Sequence, residues 1–127
     1  MWKYLLALVL SCAFVTHANA HSHSPTSFGG PDNPLDAVTV TGVQTVTITV
    51  GNLNSFPQSY EIYVDDELVG TTSEVAPNLF RKLPIPVKLS KPNTPEIHKV
   101  CSISVAKEGD MFRSKICTEA KLYWSKK

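Results

Sequence analysis

The chain has 127 residues, 43% of them apolar and 18% charged, with a formal net charge of +1. This length holds one small domain and excludes a two-domain enzyme. The apolar content excludes a disordered chain, no Gly-x-y or heptad repeat is present, and the balanced charge leaves no footprint for nucleic acid.

The first element is at the N-terminus. Lys3 precedes an apolar run from Tyr4 to Val15, broken only by Ser11, and Ala18-Asn19-Ala20 ends it with small residues at the first and third positions before a cut. This layout predicts a signal peptide over residues 1–20, and so a periplasmic or secreted protein. The alternative is a lipoprotein box at Leu10-Ser11-Cys12, but the apolar run continues past it through Val15. No later segment is long and apolar enough to span a bilayer, so no membrane span is expected in the mature chain. Cleavage removes Cys12 and leaves Cys101 and Cys117, which are most simply one disulfide. Two thiols with this spacing lack the paired pattern of a zinc site.

Residues 21–36 are rich in His, Ser, Gly, Pro and Asn and predict a flexible leader. The domain itself is expected over 37–127. Val38, Val40, Val46, Ile48 and Val50 share one parity and alternate with threonines, the pattern of strands with one buried face. Gly42 interrupts the run and predicts two strands or one kinked strand. Tyr60, Ile62 and Val64 alternate before an Asp65-Asp66-Glu67 turn, and Leu68 to Thr72 returns as a hairpin. Leu83, Ile85, Val87 and Leu89 alternate with Pro84 and Pro86, which predicts a strand at a sheet edge. Lys99–Ala106 and Met111–Trp124 form a second hairpin around Gly109. Centred there, it places Cys101 opposite Cys117. Phe112, Ile116, Ala120 and Leu122 form the better core face, so a β-bulge is expected between Arg113 and Cys117.

These elements predict an all-β sandwich of about seven strands. The stretch Tyr60-Glu61-Ile62-Tyr63-Val64-Asp65-Asp66-Glu67-Leu68-Val69-Gly70 resembles the middle hairpin of fibronectin type III and related immunoglobulin-like modules, and the strand order over 37–124 is similar. The resemblance implies an immunoglobulin-like β-sandwich whose job is to bind or space other molecules. Two features depart from immunoglobulin domains proper. The central strand has no tryptophan, and the two cysteines are too close in sequence for the usual inter-sheet bridge.

Four groups of residues are candidates for function. His21-Ser22-His23, exposed as a new terminus, offers an amine, backbone nitrogens and imidazoles in a pattern that suits Cu(II). Residues 21–78 hold seven acids and no Lys or Arg, whereas 79–127 hold eleven Lys or Arg and four acids. This split predicts a basic protein-binding surface on the last hairpin, formed by Lys107, Arg113, Lys115 and Lys121. Tyr63 and Tyr123 are expected on outer sheet faces, where a sugar or protein can pack. His98 is the one histidine in the body, and no nucleophile-elbow or H-E-x-x-H signature accompanies it. The resulting expectation is an exported, non-catalytic protein-binding or accessory module of a cell-envelope assembly, without a cofactor and with another envelope or extracellular protein as partner. One alternative is a periplasmic copper-binding protein that uses His21 and His23. Another is a small secreted inhibitor or ligand-binding module.

Overall fold

The computed structural model describes residues 21–30, 37–107 and 112–127. The predicted signal peptide, leader residues 31–36 and the hairpin tip at 108–111 lie outside the described residues. Among the described residues there are nine strands and no helix: β1 (His21–Ser24), β2 (Ser27–Gly29), β3 (Val38–Thr39), β4 (Val43–Asn52), β5 (Tyr60–Val64), β6 (Glu67–Thr71), β7 (Phe80–Lys88), β8 (Pro95–Ser104) and β9 (Lys115–Trp124). They form two sheets, one in the order β1-β4-β7 and one in the order β2-β9-β8-β5-β6, with β3 also paired to β9. The fold is all-β and sandwich-like, as the alternation predicts.

The core lies between the sheets. β4 contributes Val46, Ile48 and Val50, β7 contributes Ile85 and Val87, and the opposite sheet supplies Tyr60, Ile62, Val100, Ala120 and Leu122. Each such aliphatic side chain contributes roughly 1.5–3 kcal/mol by leaving water. β7 is an edge strand, as Pro84 and Pro86 predict. The β5–β6 hairpin turns on Asp65 and Asp66, both with positive φ (50° and 68°), the backbone that a two-residue hairpin loop demands.

Four expectations are corrected. Residues 21–30 are not loop: β1 pairs antiparallel with β4 and β2 pairs parallel with β9. Val38 and Val40 do not share the buried face of β4. They are exposed, and Thr39 faces inward, donating from its hydroxyl to the Val43 carbonyl at 3.0 Å. The chain changes sheet at Gly42, whose φ of +84° suits glycine and whose Cα lies against the Trp124 indole (a Cβ there would be 3.1 Å from the ring). Nor is there a bulge from Ser114 to Cys117, in the Arg113–Cys117 stretch where one is expected. The β8–β9 register runs unbroken from Pro95↔Tyr123 to Ile103↔Lys115, and Ser104 N donates to Ser114 O beyond it. The two demands on this strand do not conflict, because Cys101 and Cys117 bridge on the outer face while Thr118, Ala120 and Leu122 face inward. Phe112, expected in the core, is exposed.

Candidate functional site

β1 carries no apolar side chain. Its inward residues are His21 and His23, both buried, which reach across the sandwich to the opposite sheet. His21 Nδ1 lies 2.9 Å from Ser114 Oγ and its Nε2 lies 2.8 Å from Ser102 Oγ. His23 Nδ1 lies 2.6 Å from the same Ser102 Oγ, and its Nε2 lies 2.7 Å from Thr118 Oγ1. Thr118 donates to the Pro25 carbonyl at 2.5 Å. The Tyr60 ring sits 4.6 Å from His21, centroid to centroid. Burial holds both imidazoles down at about 4, partly offset at His21 by the Ser114 backbone and reinforced at His23 by His21.

This arrangement bears on the copper chelate expected at His21-Ser22-His23. All four ring nitrogens are engaged by hydroxyls of residues distant in sequence, so a chelate using either imidazole must first break these bonds. Among the described residues no group of three or more metal-ligating side chains is assembled.

The four predicted basic residues do point outward, but they do not form one patch. Arg113 Nη2 lies 2.9 Å from Glu61 Oε2 and Lys115 Nζ lies 3.7 Å from Asp66 Oδ1. Lys107 donates to the Pro57 carbonyl at 2.6 Å and stands 4.6 Å over the Phe56 ring. Lys121 is six residues from Lys115 along β9, about 20 Å at strand rise. The acidic and basic halves of the sequence meet because β5 and its turn lie beside β8. Tyr63 faces outward as expected and donates to Glu61 at 2.5 Å, whereas Tyr123 borders a hollow of about 280 Å³ with Val38 and Pro95.

His98 forms a second cluster. Its Nδ1 lies 2.5 Å from Asp65 Oδ2 and its Nε2 lies 3.0 Å from Glu96 Oε1. Burial pulls the imidazole pKa down, but the two carboxylates outweigh it and the net shift is upward. Glu96 behaves likewise: burial pushes it up, while hydrogen bonds from Lys91 and Ser90 and from His98 bring it down to about 2. The cluster ties the β5–β6 turn to β8. It borders a concavity of about 590 Å³ lined with charged groups including Asp66, Lys99 and Glu119.

The most unusual surface is at one end of the sandwich. The register Gly51↔Phe80 joins the end of β4 to the start of β7, and Tyr60↔Ser104 joins the start of β5 to the end of β8. The segments 53–59, 72–79, 105–107 and 112–114 therefore share that end. They expose Leu53, Phe56, Leu79 and Phe112, with Phe80 alongside on β7. Gly51 permits this, since any side chain there would strike the Phe80 ring. Asn52, fully buried, holds the end together. Its Nδ2 donates to the carbonyls of Phe56 and Val75, both at 2.8 Å, and its Oδ1 accepts from Asn54 N at 2.9 Å. Sequence reasoning missed these residues: Gly51 to Gln58 reads as a polar loop, and Phe112 reads as core.

No known family and no curated protein matches this chain.

Proposed function

We propose that the chain is an exported, non-catalytic binding module with an immunoglobulin-like fold, which docks another envelope or extracellular protein through its loop end. The strand order supports the fold reading. The β4–β7 pair beside a β9-β8-β5-β6 sheet corresponds to the central strands of the immunoglobulin and fibronectin type III sandwich, with the lead-in strand split between the sheets. The Cys101–Cys117 disulfide and the signal-like N-terminus support an oxidising compartment.

The observation that carries the binding reading is the exposure of Leu53, Phe56, Leu79, Phe80 and Phe112 at one end of a rigid scaffold. Exposed large apolar side chains gathered on loops mark an interaction site, because water is a poor solvent for them. Lys107 beside Phe56 adds a charge to an otherwise apolar surface. The fitting partner offers an apolar recess with an acidic rim.

The test is capture from the native envelope. The wild-type chain should retain one dominant partner, and Phe56→Ser with Phe112→Ser should lose it while keeping the wild-type circular dichroism and disulfide. Equal capture by a correctly folded double variant would contradict the reading.

A further inference from the structure

Hydrogen-bond directions around β1 can be assigned end to end. The Pro25 carbonyl only accepts, so Thr118 donates to it, and His23 Nε2–H must donate to Thr118 Oγ1. A neutral His23 then accepts at Nδ1 from the Ser102 hydroxyl. Ser102 in turn accepts from His21 Nε2–H, and His21 Nδ1 accepts from the Ser114 hydroxyl. The chain runs one way, fixes both tautomers as Nε2–H and uses every donor once. An added proton on His23 costs it a hydrogen bond. Nδ1–H would then face Ser102 Oγ, which already accepts from His21, and the Ser102 hydroxyl is fully buried with its former acceptor gone.

Besides these hydrogen bonds, the Tyr60 ring packs on His21. Ser22 and Ser24 point away from the sheet interface, and no apolar side chain on the strand enters the core. Every element packed on the two rings can be named. β8 presents Ser102, β9 presents Thr118, Ser114 precedes β9, and β5 presents the Tyr60 phenol, the one titratable neighbour among the described residues apart from the histidines themselves and the α-amine that cleavage gives His21. β4 pairs with β1 through Thr49, Val50, Gly51 and Asn52, none of them charged. Among the described residues no carboxylate contacts either ring to hold an imidazolium.

We propose that β1 is a proton-released strand. Neutral His21 and His23 hold it on the edge of β4, and their protonation frees residues 21–24 about the Pro25–Thr26 joint while the rest of the sandwich stays closed. Release uncovers the β4 edge, whose unpaired N–H and C=O groups are a template for an incoming strand. This device is independent of the loop-end binding surface.

The sign and size follow from linkage. Each imidazole is held at about 4 in the closed strand and returns to about 6.5 when released. Closure is therefore strongest at neutral pH, weakens as pH falls below about 6.5 and is weakest below about 4. Between pH 7.5 and 5.0 each histidine multiplies the release constant by about 30, and the two together by several hundred.

Backbone amide exchange of the mature protein tests this. After correction for the intrinsic rate, protection at Ser22 and Ser24, the β1 residues whose backbone groups face β4, should fall several hundred-fold between pH 7.5 and 5.0, while Val100 and Thr118 in β8 and β9 keep theirs. A change in β1 below about tenfold overturns the proposal, as does loss of protection at Val100 and Thr118 in step with β1. His21→Gln with His23→Gln should abolish the pH dependence of β1 exchange, and its persistence in the folded variant is a refutation. Should that variant fail to fold, imidazole titration of the wild type decides. Both rings must titrate well below 6.5 or only with strand release, and ordinary titration with β1 closed rejects the device.

Discussion

Arg113 Nη2 lies 2.9 Å from Glu61 Oε2 on the outer face of the larger sheet, so a base from the second half of the chain is matched by an acid from the first. The pair is partly exposed, and pairs of this kind contribute about 0–1 kcal/mol. Arg113→Ala should lower stability to urea by no more than about 1 kcal/mol. Arg113→Glu should cost slightly more, because it sets two carboxylates side by side. A loss several times larger would show that Arg113 supports the hairpin through its hydrogen bond to the Ser104 carbonyl.

Cys101 stands directly opposite Cys117, and their bridge closes a loop with a sequence separation of 16. Cys101→Ser should destabilise the oxidised protein by about 2–4 kcal/mol, read from chemical denaturation. Reductant should lower the wild type to the same level. Indifference of the wild type to reductant would contradict the bridge.

The His98 cluster makes a pH-dependent contribution opposite in sign to that of the N-terminal histidines. The folded-state pKa of His98 is raised, so its stabilisation is fully present below the ordinary value of about 6.5 and is lost as pH rises through the higher folded value. Glu96 is lowered to about 2, so its contribution is present above about 4.5 and is lost as pH falls towards 2. Nuclear magnetic resonance titration of the His98 ring should give an apparent pKa above 6.5, and Asp65→Asn should bring it down. An unchanged titration in Asp65→Asn would show that the 2.5 Å contact does not govern the ring.

Pro84 and Pro86 belong to the alternate residues of β7 whose backbone groups face away from β4, and neither has an N–H. They leave the outer edge of the strand poor in donors, which guards it against edge-to-edge pairing. Pro84→Val with Pro86→Val should restore two donors and shift the chain towards dimers or larger species in sedimentation. A variant sedimenting as the wild type does would show that the edge is protected by other means.

The alternation in β4, β5 and β7 made most of the sandwich legible, because a strand with one buried face writes its burial into every second residue. The prolines likewise placed β7 at an edge. β1 was not legible for a physical reason. Its pattern is His-Ser-His-Ser, and its burial depends on Ser102 and Thr118, which complement it from about 80 to 95 positions away in sequence. Val38 and Val40 misled because their parity with Val46 holds only if the chain stays in one sheet, and Gly42 moves it to the other. The loop end was hidden because Phe56 and Phe112 differ from core residues only in where the sandwich stops. Among the basic residues, outward direction was readable from parity, but pairing with Glu61 and Asp66 depended on which strands became neighbours.

The most direct test of the account is site-specific photo-crosslinking in the native envelope, with the reactive side chain placed at Phe112 on the loop end and, for comparison, at Ile97 on the outer face of β8. Both positions are exposed, so both reagents see solvent and neighbours equally well. The account predicts an adduct with one discrete envelope or extracellular protein from position 112 and none from position 97. Adducts from position 97 with position 112 silent would contradict it and move the binding surface to the outer sheet face.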